Sequence, residues 1–93
     1  MYRIIEGRGT GKTSRLMLLA KENDAYFICN DPHAMKYKAS AYGIQGIEFV
    51  SWADYIEHPE FYTDKVCIID ELECFIKRIF PHNNLVGYSI SLE

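Results

Sequence analysis

The feature that most constrains this chain is a run of three alternating glycines, Gly7, Gly9 and Gly11, set between a short apolar stretch and an amphipathic one. Tyr2-Arg3-Ile4-Ile5 reads as a strand, and from Thr13 to Asn23 the apolar residues Leu16, Met17, Leu19 and Ala20 fall on one side of a helix. Glycine is the residue that lets a backbone turn sharply and point successive N–H groups at one spot. The chain is thus obliged to pass from strand to helix through a tight, donor-rich loop.

Downstream, apolar runs and helical patterns alternate. Ala25 to Cys29 reads as a second strand, and Asp31-Pro32 as a helix start, with a carboxylate cap before a first-turn proline; Gly43 ends that helix. Ile47 to Val50 is a third strand. Ser51 caps a short helix from Trp52 to about His58, closed by Pro59. Val66 to Ile69 is a continuous apolar run, the pattern of a strand buried on both faces. Leu72 to Phe80 is a helix stopped by Pro81, and Leu85 to Ser91 a fifth strand. This alternation predicts an α/β fold of one domain over residues 1–93: a parallel five-stranded sheet with helices on both faces. Ligands bind such sheets at the carboxyl ends of the strands.

At 93 residues the chain has room for one small domain with a thin stability margin. No apolar run approaches the ~20 residues of a membrane span, and the N-terminus lacks the layout of a signal peptide. Cys29, Cys67 and Cys74 are odd in number, two of them inside strand-like runs. They read as reduced residues of a cytoplasmic protein, and no pair has the close spacing of a metal site. The formal charge of −3 argues against a protein dominated by nucleic-acid binding. Its distribution is uneven. Arg3, Arg8, Lys12 and Arg15 give a basic start, whereas residues 48–73 hold eight carboxylates against Lys65 alone.

The basic start suits phosphates. In Gly7-Arg8-Gly9-Thr10-Gly11-Lys12-Thr13, followed by Ser14, the glycine backbone and the helix N-terminus would cradle phosphate oxygens; Lys12 would reach the terminal phosphates and the Thr13 hydroxyl would coordinate magnesium. The full consensus places a glycine where this chain has Glu6, a departure that expects the Glu6 side chain to point away. A second half-site ends the Val66–Ile69 run. There Asp70 would hold magnesium, and Glu71 would orient and deprotonate an attacking water. The bland alternative is that Asp70 caps the helix beginning at Leu72.

These residues resemble the P-loop NTPases, in the branch that sets a catalytic glutamate beside the magnesium aspartate and that includes RecA-like ATPases, AAA+ proteins and helicases. The likeness is to the first motor domain of superfamily 1 helicases in particular. It spans the chain as an architecture and about fifteen residues as motifs. It implies a RecA-like core that binds ATP (or GTP) with magnesium. It places Cys29-Asn30-Asp31 and Val50-Ser51-Trp52 where that family touches single-stranded DNA. It also sets Leu85–Ser91 between the loop strand and the aspartate strand, with Ser89 and Ser91 either sensing phosphate or merely facing outward. That order leaves Tyr2–Ile5 as an unpaired edge, expected to pair with a second copy or a partner protein.

The expected function is therefore slow magnesium-dependent hydrolysis, with Lys12 and Glu71 as the catalytic pair, acting with a partner in DNA metabolism. No arginine finger in cis is evident among the four arginines. The size suits a virus-encoded protein of the host cytoplasm. The alternative is a nucleotide-binding interaction protein that engages or inhibits a host ATPase with little turnover.

Overall fold

The strand of residues 26–29 organises the molecule, because its side chains are buried on both faces and neighbours pair along both edges. The computed structural model describes residues 3–5, 9, 11–80, 86–89 and 91. Their elements run α1 (Lys12–Glu22), β1 (Tyr26–Cys29), α2 (Pro32–Ala41), β2 (Glu48–Ser51), α3 (Trp52–Glu57), a 3₁₀ turn (Pro59–Tyr62), β3 (Cys67–Ile69) and α4 (Leu72–Ile79). The sheet order is β2-β1-β3. Both pairings are parallel: Phe27 lies opposite Phe49 on one side and Ile68 on the other.

Alternation along β1 sends its side chains into two cores. Phe27 and Cys29 pack with Met17 and Ala20 of α1, Ala39 of α2 and Ile44. Tyr26 and Ile28 pack with Val50 and Trp52, against Tyr55, Tyr62 and Phe75 from α3, the 3₁₀ turn and α4. Phe27 and Ile28 are 0% exposed. Helices thus cover both faces.

Local chemistry explains the boundaries. The Asp31 carboxylate accepts from the Ala34 N–H at 3.2 Å, and the Ser51 hydroxyl from the Asp54 N–H at 3.0 Å, each capping its helix. Helix α2 ends in a Schellman motif: Ile44 N–H donates to Ala39 O at 2.9 Å and Gly43 N–H to Ser40 O at 3.0 Å. Gly43 takes φ +73°, the left-handed value this motif requires. The same pattern closes α1 through Ala25 N–H to Ala20 O at 2.8 Å, with Asp24 in the glycine position at φ 50°.

At the amino ends of the strands, Tyr26 donates its hydroxyl to Asp64 at 2.7 Å, and Lys65 reaches Asp24 at 3.4 Å and Glu48 at 3.8 Å. The Asp64 bond, with burial, pushes the Tyr26 phenol up to about 12. This end of the sheet is tied together by charge.

The five-stranded expectation is corrected: among the described residues the sheet has three strands. Residues 3–5 and 86–89 enter no ladder, and Ile5, Val86 and Tyr88 stand exposed. An apolar tetrapeptide becomes a strand only with a ladder to join and a face to bury. Pairing through an edge strand at 2–5 consequently has no strand to rest on within 3–5, and Tyr2 lies outside the described residues. The run at 66–69 is corrected too. Val66 is exposed and β3 half-buried, because β3 pairs with β1 on one edge alone among the described residues. No helix among the described residues is long and apolar enough to cross a membrane.

Candidate functional site

Two half-sites were expected at the carboxyl ends of strands, one on the glycine loop and one after β3. Of the loop, Gly9, Gly11, Lys12, Thr13 and Ser14 are described; Gly7, Arg8 and Thr10, like Glu6, lie outside the described residues. Gly9 and Gly11 both take φ +76°, a conformation that L side chains rarely adopt, so both glycines answer a backbone need. Gly11 is the N-cap of α1 and has no side chain to satisfy the first-turn N–H groups. No acidic residue occupies that turn. Among the described residues, no carboxylate of the turn itself offsets its dipole end, the condition that favours an incoming anion.

The Gly11 carbonyl is held by α1 itself. It accepts from the Ser14 hydroxyl at 3.0 Å, from Arg15 N–H at 3.2 Å and from Arg15 Nε at 3.4 Å. Ser14 is thus engaged with its own loop, while Lys12 and Thr13 stand half-buried at the start of the helix.

The acidic pair follows β3 directly. Asp70 is 4% exposed, and its N–H continues the ladder to Ile28 O at 3.0 Å. Burial raises the Asp70 carboxyl above its usual range, and the neighbouring Glu71 charge raises it further. Lys38, the Glu71 N–H and Lys12 act in the opposite direction. The helix that Lys12 begins packs against the strand that Asp70 follows, although the two are far apart in sequence.

Glu71 is exposed and holds φ 56°, ψ 56°, a left-handed backbone on a residue with a β-carbon. It, not Asp70, is the N-cap of α4, and it makes no side-chain capping bond. Left-handed backbone on such residues gathers where structure and function over-determine it.

Two residues near Asp70 went unmarked in the sequence. Lys38 adds a second positive charge, and Met35 lies beside Asp70 and Glu71 in the cleft that they line. The signal was available: the Asp31-Pro32 start fixes the phase of α2, and positions three apart share a helix face.

The donor set is oxygen-rich. Among the described residues no three His, Cys, Asp or Glu side chains gather into a cage of their own. Magnesium does not need one, since it takes one or two carboxylates or hydroxyls and fills its other positions with phosphate oxygens and water. A buried carboxylate whose charge is penalised by desolvation suits such a cation.

Comparisons of the chain with protein-family models, with curated proteins and with solved structures return no match.

Proposed function

We propose that this chain is a small P-loop nucleoside triphosphatase, which binds ATP or GTP with magnesium on the loop of residues 7–13 and hydrolyses it slowly. The observation that carries this reading is geometric: α1, which begins at Lys12 directly after a left-handed Gly11, packs against β3, and the residue that follows β3 is the buried Asp70. Asp70 follows β3 at its carboxyl end, the end at which α/β sheets hold their ligands, and this supports pairing it with the glycine loop.

In this reading the α1 N-terminus and the loop N–H groups hold phosphate oxygens, and the Lys12 ammonium neutralises charge on the terminal phosphate. Thr13 Oγ and the Asp70 carboxylate would hold magnesium, which supplies charge neutralisation when bound. Glu71, exposed beside Asp70, accepts the proton of the attacking water. Its side chain makes no capping bond to α4, which leaves the carboxylate available for this role.

The test is thermal. A ligand at 100 times its dissociation constant stabilises by about 2.7 kcal/mol. In a domain this small that raises Tm by roughly 10–20 °C. Mg-ATP or Mg-GTP is expected to give a shift of that order in the wild type and little in Lys12→Ala. Absence of any shift at millimolar nucleotide refutes the reading. Turnover of ATP, with Glu71→Gln retaining the shift and losing the turnover, separates hydrolysis from binding.

A further inference from the structure

The helices on the two faces of the sheet differ in charge. On one face, α1 and α2 hold Lys12, Arg15, Lys21, Lys36 and Lys38 against Glu22 alone. On the other, residues 52–64 form α3 and the 3₁₀ turn and hold Asp54, Glu57, Glu60 and Asp64 with no lysine or arginine. This acidic segment also presents an aromatic ring. Phe61 is 64% exposed, and it stacks on His58 with ring centroids 4.8 Å apart and planes 14° from parallel. Its neighbour Tyr62 fixes the turn from inside, edge-on to Tyr26 at 5.2 Å. The ring is therefore held outward by a turn that is itself anchored. A rigid exposed aromatic beside charge is what protein interfaces use as an anchor.

The same chain carries a place for such a ring. An open cleft of about 550 Å³ lies along the start of β2, with Ile47 and Phe49 as its apolar wall and Lys36 beside them. Ile47 and Phe49 pack with the α1–α2 core, so this wall belongs to the basic face. Lys65, also at the cleft, is already held by Asp24 and Glu48. Among the described residues neither Lys36 nor Glu57 has an ion-pair partner. The acidic face thus offers a ring and an unmatched carboxylate, and the basic face an apolar cleft and an unmatched ammonium.

We propose that the Phe61 turn of one copy seats in the Lys36 cleft of a second copy, so that the chain self-associates head to tail. Phe61 lies against Ile47 and Phe49, and the Glu57 carboxylate meets Lys36. Turn and cleft wall sit on opposite faces of the sheet, so the contact joins two molecules and leaves each with one free half. Charge sets the pairing, since two acidic or two basic faces repel. The cleft is at the amino ends of the strands, the end opposite Asp70, and the contact needs no nucleotide.

Sedimentation equilibrium of the full chain without nucleotide is the test. The average mass is expected to rise with concentration past that of a dimer, and to fall when salt is added. Phe61→Ala and Lys36→Glu should each weaken association roughly tenfold or more. Both positions are exposed, so both variants should melt with the wild type, which separates a lost contact from a lost fold. Glu57→Lys, exposed on α3, should give the same weakening with Phe61 in place. Mixing is the sharper readout. The Lys36→Glu copy keeps its turn and the Phe61→Ala copy keeps its cleft, so together they should form a one-to-one pair that grows no further. A monomer at every concentration, a wild-type mass that stops at the dimer, association unchanged in the single variants, or a mixture that fails to pair overturns the proposal.

Discussion

Replacing Glu71 by glycine is expected to make the protein more stable while removing its candidate base. Glu71 holds φ 56°, ψ 56°, is exposed and makes no side-chain capping bond. For a residue with a β-carbon this backbone costs about 1–2 kcal/mol. Glycine is free of that cost but returns about 0.4–1 kcal/mol through the greater freedom of its unfolded chain. The net gain of the backbone change is about 0.5–1 kcal/mol, or roughly 3–6 °C in Tm for a domain of this size. A confounding effect exists, since losing the Glu71 carboxylate also relieves its repulsion of Asp70. Glu71→Ala removes the carboxylate and keeps the β-carbon, so the difference between the glycine and alanine variants isolates the backbone. Calorimetric melting of both, without nucleotide and at neutral pH, is the assay. If the glycine variant melts no higher than the alanine variant, the strain argument at this position is wrong.

Asp70→Asn should melt higher than the wild type at neutral pH without metal, and should lose the magnesium-dependent part of any nucleotide shift. Burial, then Glu71, raises the Asp70 carboxyl above the ordinary aspartate value of 3.8. The folded state therefore holds that proton more tightly than the unfolded chain, and Asp70's contribution to stability falls as pH rises from about 3.8 through the raised folded value. A contribution that rises over this window, extracted by subtracting the Asp70→Asn profile, contradicts the assignment. In native protein at pH 8, N-ethylmaleimide should modify Cys74 first: burial pushes the Cys29 thiol up to about 12 and also raises Cys67, so mass mapping that finds Cys29 labelled first would count against the packing. Asp31→Ala removes the carboxylate that caps α2 and should cost about 1 kcal/mol in denaturant melts, with an unchanged midpoint counting against the 3.2 Å cap.

Where a local interaction decides an element, it could be read from the sequence. Asp31, Ser51 and Gly43 each fix a helix boundary through a bond to a residue a few positions away, and the structure places those boundaries within a residue or two of the reading. The 3₁₀ turn at Pro59–Tyr62 was missed because Pro59, read as the end of one helix, also suits the first position of another turn. The strand count could not be read the same way. Tyr2–Ile5 and Leu85–Ser91 have the composition of strands, but a strand is decided by which neighbour offers a ladder, and that information lies elsewhere in the chain. At the site, Asp70 and Glu71 were legible as an acidic pair after an apolar run. Their opposite environments, one buried and one held left-handed in solvent, depend on where α2 and α4 pack.

The central place of β1 also sets a timetable. Tyr26 is made early but pairs with Glu48 on one edge and Cys67 on the other. The second edge stays open during synthesis until residues 67–69 have left the ribosome, at about 5–20 residues per second. Pairings this distant in sequence close slowly even in the finished chain. Hydrogen exchange during refolding should accordingly find the β2–β1 ladder protected ahead of the β1–β3 ladder. Lys12 lies on the early side of that interval and Asp70 on the late side. Helix α1 emerges well before β3, the strand that it packs against.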